Sequence, residues 1–139
     1  MVKSKKAQTP TTSRKKIVHV KDESGALMKT VVKGMKDKKA KEIVCIDLRD
    51  IKNSIADFFV VCHAESRTHI DAIARSVEET VFKKSGELPF HKEGFANSEW
   101  LLLDYTNVVA HIFIQEKRQF YGIERLWGDA HIQRVASNY

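Results

Sequence analysis

The run "DFFVVCH" at residues 57–63 constrains the fold of this 139-residue chain more than any other stretch. Side chains of a β-strand point alternately to its two faces, and both sets of positions are apolar here. A strand of this kind needs cover on each side, which is typical of a central strand in a sheet flanked by helices. The run therefore predicts a sheet with this strand inside it.

Two long helices are predicted from apolar spacing. Apolar residues recur at four-residue intervals from Leu27 to Met35, which predicts a helix over residues 24–39. The second helix is predicted to begin after Ser66, a good N-cap residue, and to end at Gly86.

Further strands are predicted where β-branched and apolar residues form short runs, at 42–48, 99–104 and 108–114. The last two form a hairpin. The segment around Pro89 is limited to a sheet edge or a lead-in because proline has no amide hydrogen to donate. The result is a single α/β (α+β) domain, with a mixed sheet of about five strands and flanking helices.

Charge separates an arm from the body of the chain. Residues 1–21 carry seven basic residues and no acidic residue, whereas the other residues carry seventeen basic and eighteen acidic ones. We therefore expect a disordered basic arm at 1–23, a domain at 24–130 and a polar tail at 131–139. The arm either contacts RNA or only aids solubility. Its candidate RNA-contacting residues are Lys3, Lys5, Lys6, Arg14, Lys15 and Lys16.

The two cysteines, Cys45 and Cys62, lie inside apolar runs, which predicts buried reduced thiols and a reducing compartment rather than a disulfide. No apolar run approaches the roughly 18 residues that a membrane span needs. No signal-peptide pattern opens the chain either, so a cytoplasmic location is expected.

The stretch "RQFYGIERLWGDA" crowds three aromatic residues among charges. If residues 118–127 form one helix, about 100 degrees per residue places four apolar side chains on the face toward the sheet. These four are Phe120, Ile123, Leu126 and Trp127. Tyr121, Glu124 and Arg125 then lie outside that stripe, either as ordinary surface or as part of an interface.

Strand alternation divides the predicted hairpin into two faces. Trp100, Leu102 and Asp104 share one face, and Leu101, Leu103 and Tyr105 share the other. The carboxylate of Asp104 is either at a strand end or an acidic anchor beside an apolar patch. His111, in an otherwise apolar strand, is predicted to be semi-buried with its hydrogen bonds satisfied.

No pattern in the chain indicates a catalytic site. Cys62 and His63 are neighbours in a strand, so their side chains point to opposite faces. The histidines and cysteines lack metal-ligand spacing, and no phosphate-binding glycine loop is present. No metal or cofactor is therefore predicted. The alternatives are a nucleotide-processing enzyme that uses Asp47 and Asp57, and an RNA-binding module, which the slightly acidic body disfavours.

Three stretches carry a resemblance to one family, the ribosomal silencing factors (Iojap-related proteins). They are "IADFFVVCHAESRTHIDAIARSVEE", "EGFANSEWLLLDYTNVVAHIF" and "RQFYGIERLWGDA", and the resemblance covers about residues 27–130. The matching positions are Ala56, Asp57, Phe58, Phe59 and Val60; Ser66 and Thr68; Glu93, Gly94, Trp100 and Asp104; His111, Ile112 and Phe113; and Arg118, Phe120, Tyr121, Ile123, Glu124, Leu126 and Trp127.

The resemblance implies a binding protein and not an enzyme. Members of the family dock on the large ribosomal subunit at ribosomal protein L-fourteen and block subunit joining, which represses translation when nutrients are short. Organelle relatives assist large-subunit assembly, and members can form homodimers when free. Their fold resembles that of nucleotidyltransferases, but this chain lacks the Gly-Ser and paired-Asp metal signature of those enzymes.

The family's docking partner is basic, so aromatic area combined with outward carboxylates is suitable chemistry. The residues expected to bind it are Trp100, Leu102, Asp104, Tyr121, Glu124 and Trp127. For Trp127 a place in the core remains the alternative.

Overall fold

The computed structural model of the chain describes residues 14–137 and 139, with side chains from residue 23 onward. In chain order the elements are α1 (Arg14–Asp37), β1 (Lys41–Asp47), β2 (Phe58–Ala64), α2 (Arg67–Ser85), β3 (His91–Glu93), β4 (Trp100–Asp104), β5 (Val108–Ile114), α3 (Gln115–Tyr121), α4 (Ile123–Leu126) and β6 (His131–Arg134). Within these described residues, no helix has the length and apolarity to cross a membrane.

The strands form one mixed sheet in the order β3-β4-β5-β2-β1-β6. The pair β2–β5 is parallel and every other pair is antiparallel. All seven residues of β2 are buried, which confirms the central strand predicted from the run at 57–63. The short segment after Pro89 supplies β3, an edge strand, as expected.

The two long helices cover one side of the sheet, here called the helical face. Val31 and Met35 of α1 and Ile73 and Val77 of α2 are fully buried there, together with Cys62 of β2. Both cysteines are buried free thiols, as predicted. Ser66 caps α2 by accepting a hydrogen bond from the amide of His69, and Gly86 ends the helix at φ 76°, both as predicted.

The opposite side of the sheet is here called the aromatic face, because Phe59, Trp100, His111 and Phe113 lie on it. Its cover is much thinner. Among the residues that the structure describes, α3, α4 and the chain around Ile51 and Ala130 pack against it. Several of its side chains therefore remain in reach of solvent, in contrast to those of the helical face.

Three predicted boundaries differ from the structure. Helix α1 begins at Arg14 and not at residue 24, so part of the predicted arm at 1–23 is helical backbone. The predicted tail at 131–139 contains β6, which pairs with β1 and gives the sheet a sixth strand. The predicted helix at 118–127 is broken at Gly122, whose φ of 57° is left-handed.

Helices α1 and α2 approach each other closely at Gly34. A Cβ atom on this residue would lie 2.7 Å from the Cα atom of Val77. The hydroxyl of Ser76 donates a buried hydrogen bond of 2.7 Å to the Gly34 carbonyl oxygen. The contact leaves no room for a side chain, so this glycine sets the distance between the helices.

The substitution Gly34→Ala is therefore expected to lower the free energy of unfolding by about 1–3 kcal/mol, because the helices must separate to fit the methyl group. Gly25→Ala in the same helix is the control. A Cβ there meets nothing within 4 Å, and alanine is expected to stabilise the helix by up to about 1 kcal/mol. Urea unfolding of both variants checks the pair, and equal effects of the two would contradict this account.

Candidate partner-binding site on the aromatic face

Strand β4 presents two different faces, as its sequence predicts. Leu101 and Leu103 are fully buried on the helical face, and Tyr105, just after the strand, is buried as well. Trp100, Leu102 and Asp104 are only half-buried on the aromatic face. The hairpin thus places an indole, an aliphatic side chain and a carboxylate side by side at the rim of the thinly covered face.

Trp100 is held in place by its neighbours on β5. Its indole Nε1–H donates a hydrogen bond of 3.1 Å to Nδ1 of His111, and its ring stacks on Phe113 with centroids 5.0 Å apart. His111 also meets the ring of Phe59 at 4.5 Å. The indole is therefore presented to solvent in a fixed orientation.

His111 is buried more fully than predicted, and only one of its two ring nitrogens has a hydrogen-bond partner among the described residues. Its Nδ1 accepts from Trp100, so the neutral ring carries its proton on Nε2, which is buried and has no hydrogen-bond partner among the described residues. Burial lowers the pKa of His111 to about 3. The ring consequently stays neutral and serves as the acceptor that orients Trp100.

The last helical segment departs from prediction because of the break at Gly122. Tyr121, expected opposite the sheet side, lies against Trp100 with ring centroids 4.6 Å apart. Phe120 and Leu126, expected in the core, are 72% and 76% exposed. Ile123 is buried as predicted.

Trp127 lies partly in the core and partly at the surface. It is half-buried, and its ring meets Phe59 edge-on at 5.7 Å. Together the aromatic and aliphatic side chains at this rim form what we call the docking patch, namely Trp100, Leu102, Phe120, Tyr121, Leu126 and Trp127. Phe120 and Leu126 are additions that the helical wheel assigned to the core.

The two predicted acidic anchors have different surroundings. Asp104 is half-buried, and its carboxylate accepts a hydrogen bond of 2.7 Å from the amide of Thr106 in the β4–β5 turn. The carboxylate of Glu124 is bound inside the chain, with both oxygens held by the guanidinium of Arg118 at 3.1 and 2.9 Å. Of the two, Asp104 is the better placed to meet a partner.

Arg118 anchors the segment that bears the docking patch. It is 8% exposed and, besides binding Glu124, donates to the carbonyl oxygen of Glu42 at 2.8 Å and to Nδ1 of His63 at 2.9 Å. Burial and the neighbouring guanidinium lower the pKa of His63. These contacts tie α3 and α4 to the ends of β1 and β2, so the patch rests on the rigid sheet.

The acidic residues considered for catalysis are engaged elsewhere. The carboxylate of Asp47 binds Arg49 through a fork of 2.9 and 2.7 Å, which lowers its pKa. Asp57 accepts a hydrogen bond of 2.6 Å from the Ser24 hydroxyl. Across the part of the chain that the structure describes, no three His, Cys, Asp or Glu side chains cluster as metal ligands do.

Known proteins resemble this chain in sequence and in fold. The family model described as "Ribosomal silencing factor during starvation" matches residues 21–138. Ribosomal silencing factor RsfS of Halalkalibacterium halodurans is 36% identical over 104 residues, covering 75% of this chain and 87% of that protein. The chloroplastic protein Iojap of Arabidopsis thaliana is 36% identical over 73 residues, covering 52% of this chain and 30% of that protein. A Chromobacterium violaceum crystal structure, 28% identical, superposes with a TM-score of 0.70 over 83% of this chain and 92% of that one.

The chain belongs to the ribosomal silencing factor family. The family match extends beyond residue 130, where the domain was predicted to end, and it includes β6. The predicted RNA contacts of the arm cannot be placed in the fold, since Lys3, Lys5 and Lys6 lie outside the described residues. The side chains of Arg14, Lys15 and Lys16 also lie outside the described part.

The buried His111 predicts a loss of stability on acidification. In the unfolded chain the His111 ring has a pKa near 6.5, whereas in the folded protein its pKa is about 3. Between these pH values the unfolded state therefore binds more protons than the folded state. From pH 7 to pH 5 the contribution of His111 to the free energy of unfolding falls by about 2 kcal/mol.

His111→Gln removes the titrating ring but keeps an acceptor for Trp100. The stability difference between the parent and this variant is expected to shift in favour of the variant by that amount between pH 7 and pH 5, measured by urea unfolding. A difference that does not change with pH would show that the His111 ring is not held neutral by burial.

Proposed function

We propose that this chain binds the large ribosomal subunit at ribosomal protein L-fourteen and sterically blocks joining of the small subunit, which represses translation under nutrient limitation. The observation that carries the proposal is the docking patch, a group of partly exposed aromatic and aliphatic side chains on the thinly covered face of the sheet. Membership of a family whose model is described as a silencing factor during starvation supports the same function.

The patch has the composition of a binding site. Tyr and Trp are the residues that most often contribute large shares of binding energy at interfaces, and both are held rigidly here by ring contacts. Phe120 and Leu126 extend the apolar area outward. Exposed apolar groups of this kind mark interaction sites on soluble proteins.

Asp104 supplies the negative charge that a basic partner surface needs, at the rim of the patch where it can set the register of docking. Glu124 contributes indirectly, because its carboxylate fixes Arg118 and thereby the position of Tyr121. In the free protein the same patch is available for self-association, so a homodimer that dissociates on ribosome binding is part of the proposal.

The proposed role is binding in the cytoplasm without catalysis. The engagement of Asp47 by Arg49 and of Asp57 by Ser24 supports this, since both carboxylates of the rival nucleotide-processing site already have partners. Stabilisation by magnesium and a nucleotide in a melting experiment that depends on Asp47 and Asp57 would contradict it.

The central test is subunit joining in sucrose gradients. Purified protein is mixed with separated ribosomal subunits at magnesium concentrations that drive joining, and we expect it to sediment with the large subunit and to diminish the joined-ribosome peak. Tyr121→Ala and Leu126→Glu are expected to weaken binding by about thirtyfold or more, because each removes or charges an apolar group of the patch.

Phe82→Ala is the matched control, since Phe82 is a 53% exposed aromatic residue on α2, on the other side of the sheet. It is expected to bind and block like the parent chain. Loss of binding in all three variants, or in none, would count against the patch, provided that circular dichroism shows each variant folded.

The basic arm is proposed to contact ribosomal RNA through Lys3, Lys5, Lys6, Arg14, Lys15 and Lys16. Each phosphate contact steepens the dependence of log affinity on log salt concentration by roughly 0.7–0.9. Deleting residues 1–16, which removes all six, is therefore expected to flatten this dependence in subunit-binding measurements. An unchanged slope would leave the arm as a solubilising extension.

A further inference from the structure

A pocket of about 410 Å³ lies beside the docking patch, between the α3–α4 segment and the neighbouring ends of β1, β2 and β6. Its volume falls in the range of sites that hold small molecules. The residues of its wall that bear on its chemistry are Glu42, His63, Arg118, Glu124, Arg125 and Arg134. The docking function proposed above does not use this pocket.

Two arginines of the wall, Arg125 and Arg134, are available to bind an anion. Neither Arg125 nor Arg134 forms an ion pair with another described residue, and both are exposed. The guanidinium of Arg125 makes one long hydrogen bond of 3.4 Å, to the carbonyl oxygen of Gln119. By contrast, Arg118 is buried and is occupied by Glu124, Glu42 and His63.

The acids of the wall do not cancel this charge. The carboxylate of Glu124 is neutralised by Arg118, which donates a hydrogen bond to each of its oxygens. Glu42 is the remaining acid, so three guanidiniums face two carboxylates and the wall keeps a net positive charge. Guanidinium forks match the oxygen geometry of phosphate groups, and two forks together favour a multiply charged anion.

His63 adds a neutral donor to the same wall. Arginine has no acceptor atom, so the 2.9 Å contact between Arg118 and Nδ1 of His63 requires Nδ1 to be the acceptor. The neutral ring therefore carries its proton on Nε2. This tautomer makes Nε2–H the donor of the ring and adds no charge to the wall.

We propose that this pocket binds the phosphate or diphosphate group of a small molecule, with Arg125 and Arg134 as the charged contacts and His63 Nε2–H as a neutral donor. None of these three contact residues belongs to the docking patch. The pocket can therefore be tested on the protein alone, so the failure of either proposal is seen separately from the failure of the other.

The test is calorimetric titration of the full chain with pyrophosphate, without magnesium. We expect saturable binding that weakens by about tenfold or more in the double variant Arg125→Gln/Arg134→Gln, because two charge-assisted contacts are lost. Arg75→Gln, an exposed arginine on α2 across the sheet, is the matched control and is expected to bind like the parent. Glu42→Gln is expected to bind more tightly, because it removes the unpaired negative charge.

Three results would overturn the proposal. Absence of binding would show that the pocket is not an anion site. Binding that survives in the double variant would assign pyrophosphate to the basic residues elsewhere in the chain, including those of the arm. Equal binding of citrate, also lost in the double variant, would show that the pocket recognises any polyanion and has no preference for phosphate.

Discussion

The buried guanidinium of Arg118 determines how the aromatic face of the sheet is covered. Both long helices lie on the helical face, so the aromatic face depends on two short helices that would not be stable by themselves. Arg118 joins them to the sheet through Glu124, His63 and the carbonyl oxygen of Glu42. That carbonyl is available because β1 has an irregular register between Lys41 and Val44, where Glu42 adopts φ 45°.

The thin cover on that side connects the fold to binding. A sheet with long helices on both faces would bury Trp100 and Leu102 completely, whereas here they remain half-exposed at the rim. The same hairpin is rigid, because β4 pairs on both sides and Trp100 is fixed by His111 and Phe113. The break at Gly122 then turns Tyr121 onto Trp100 and leaves Phe120 outward. The aromatic side chains are thus both rigid and exposed, because the sheet fixes them and the short helices cover them only in part.

Features set by local pattern could be predicted from the sequence, and features set by distant contacts could not. Alternation in β4 and the caps of α2 depend on neighbouring residues, so the two faces of the hairpin and the ends of α2 were predicted correctly. The helix at 118–127 was wrong because the wheel treated Gly122 as an interior helical residue. Strand β6 was missed because its short polar sequence has no apolar alternation, and its place is set by pairing with β1. The role of Arg118 depends on residues 55 and 76 positions away.

The most direct measurement of the central claim is site-specific cross-linking on the large ribosomal subunit. A photoreactive benzoylphenylalanine is placed at position 126 in the docking patch or at position 82 on α2, both exposed positions whose replacement leaves the core intact. If the aromatic face is the docking surface, position 126 yields a cross-link to ribosomal protein L-fourteen and position 82 does not. A cross-link to that protein from position 82 alone would show that the chain docks through its helical face and would contradict the account.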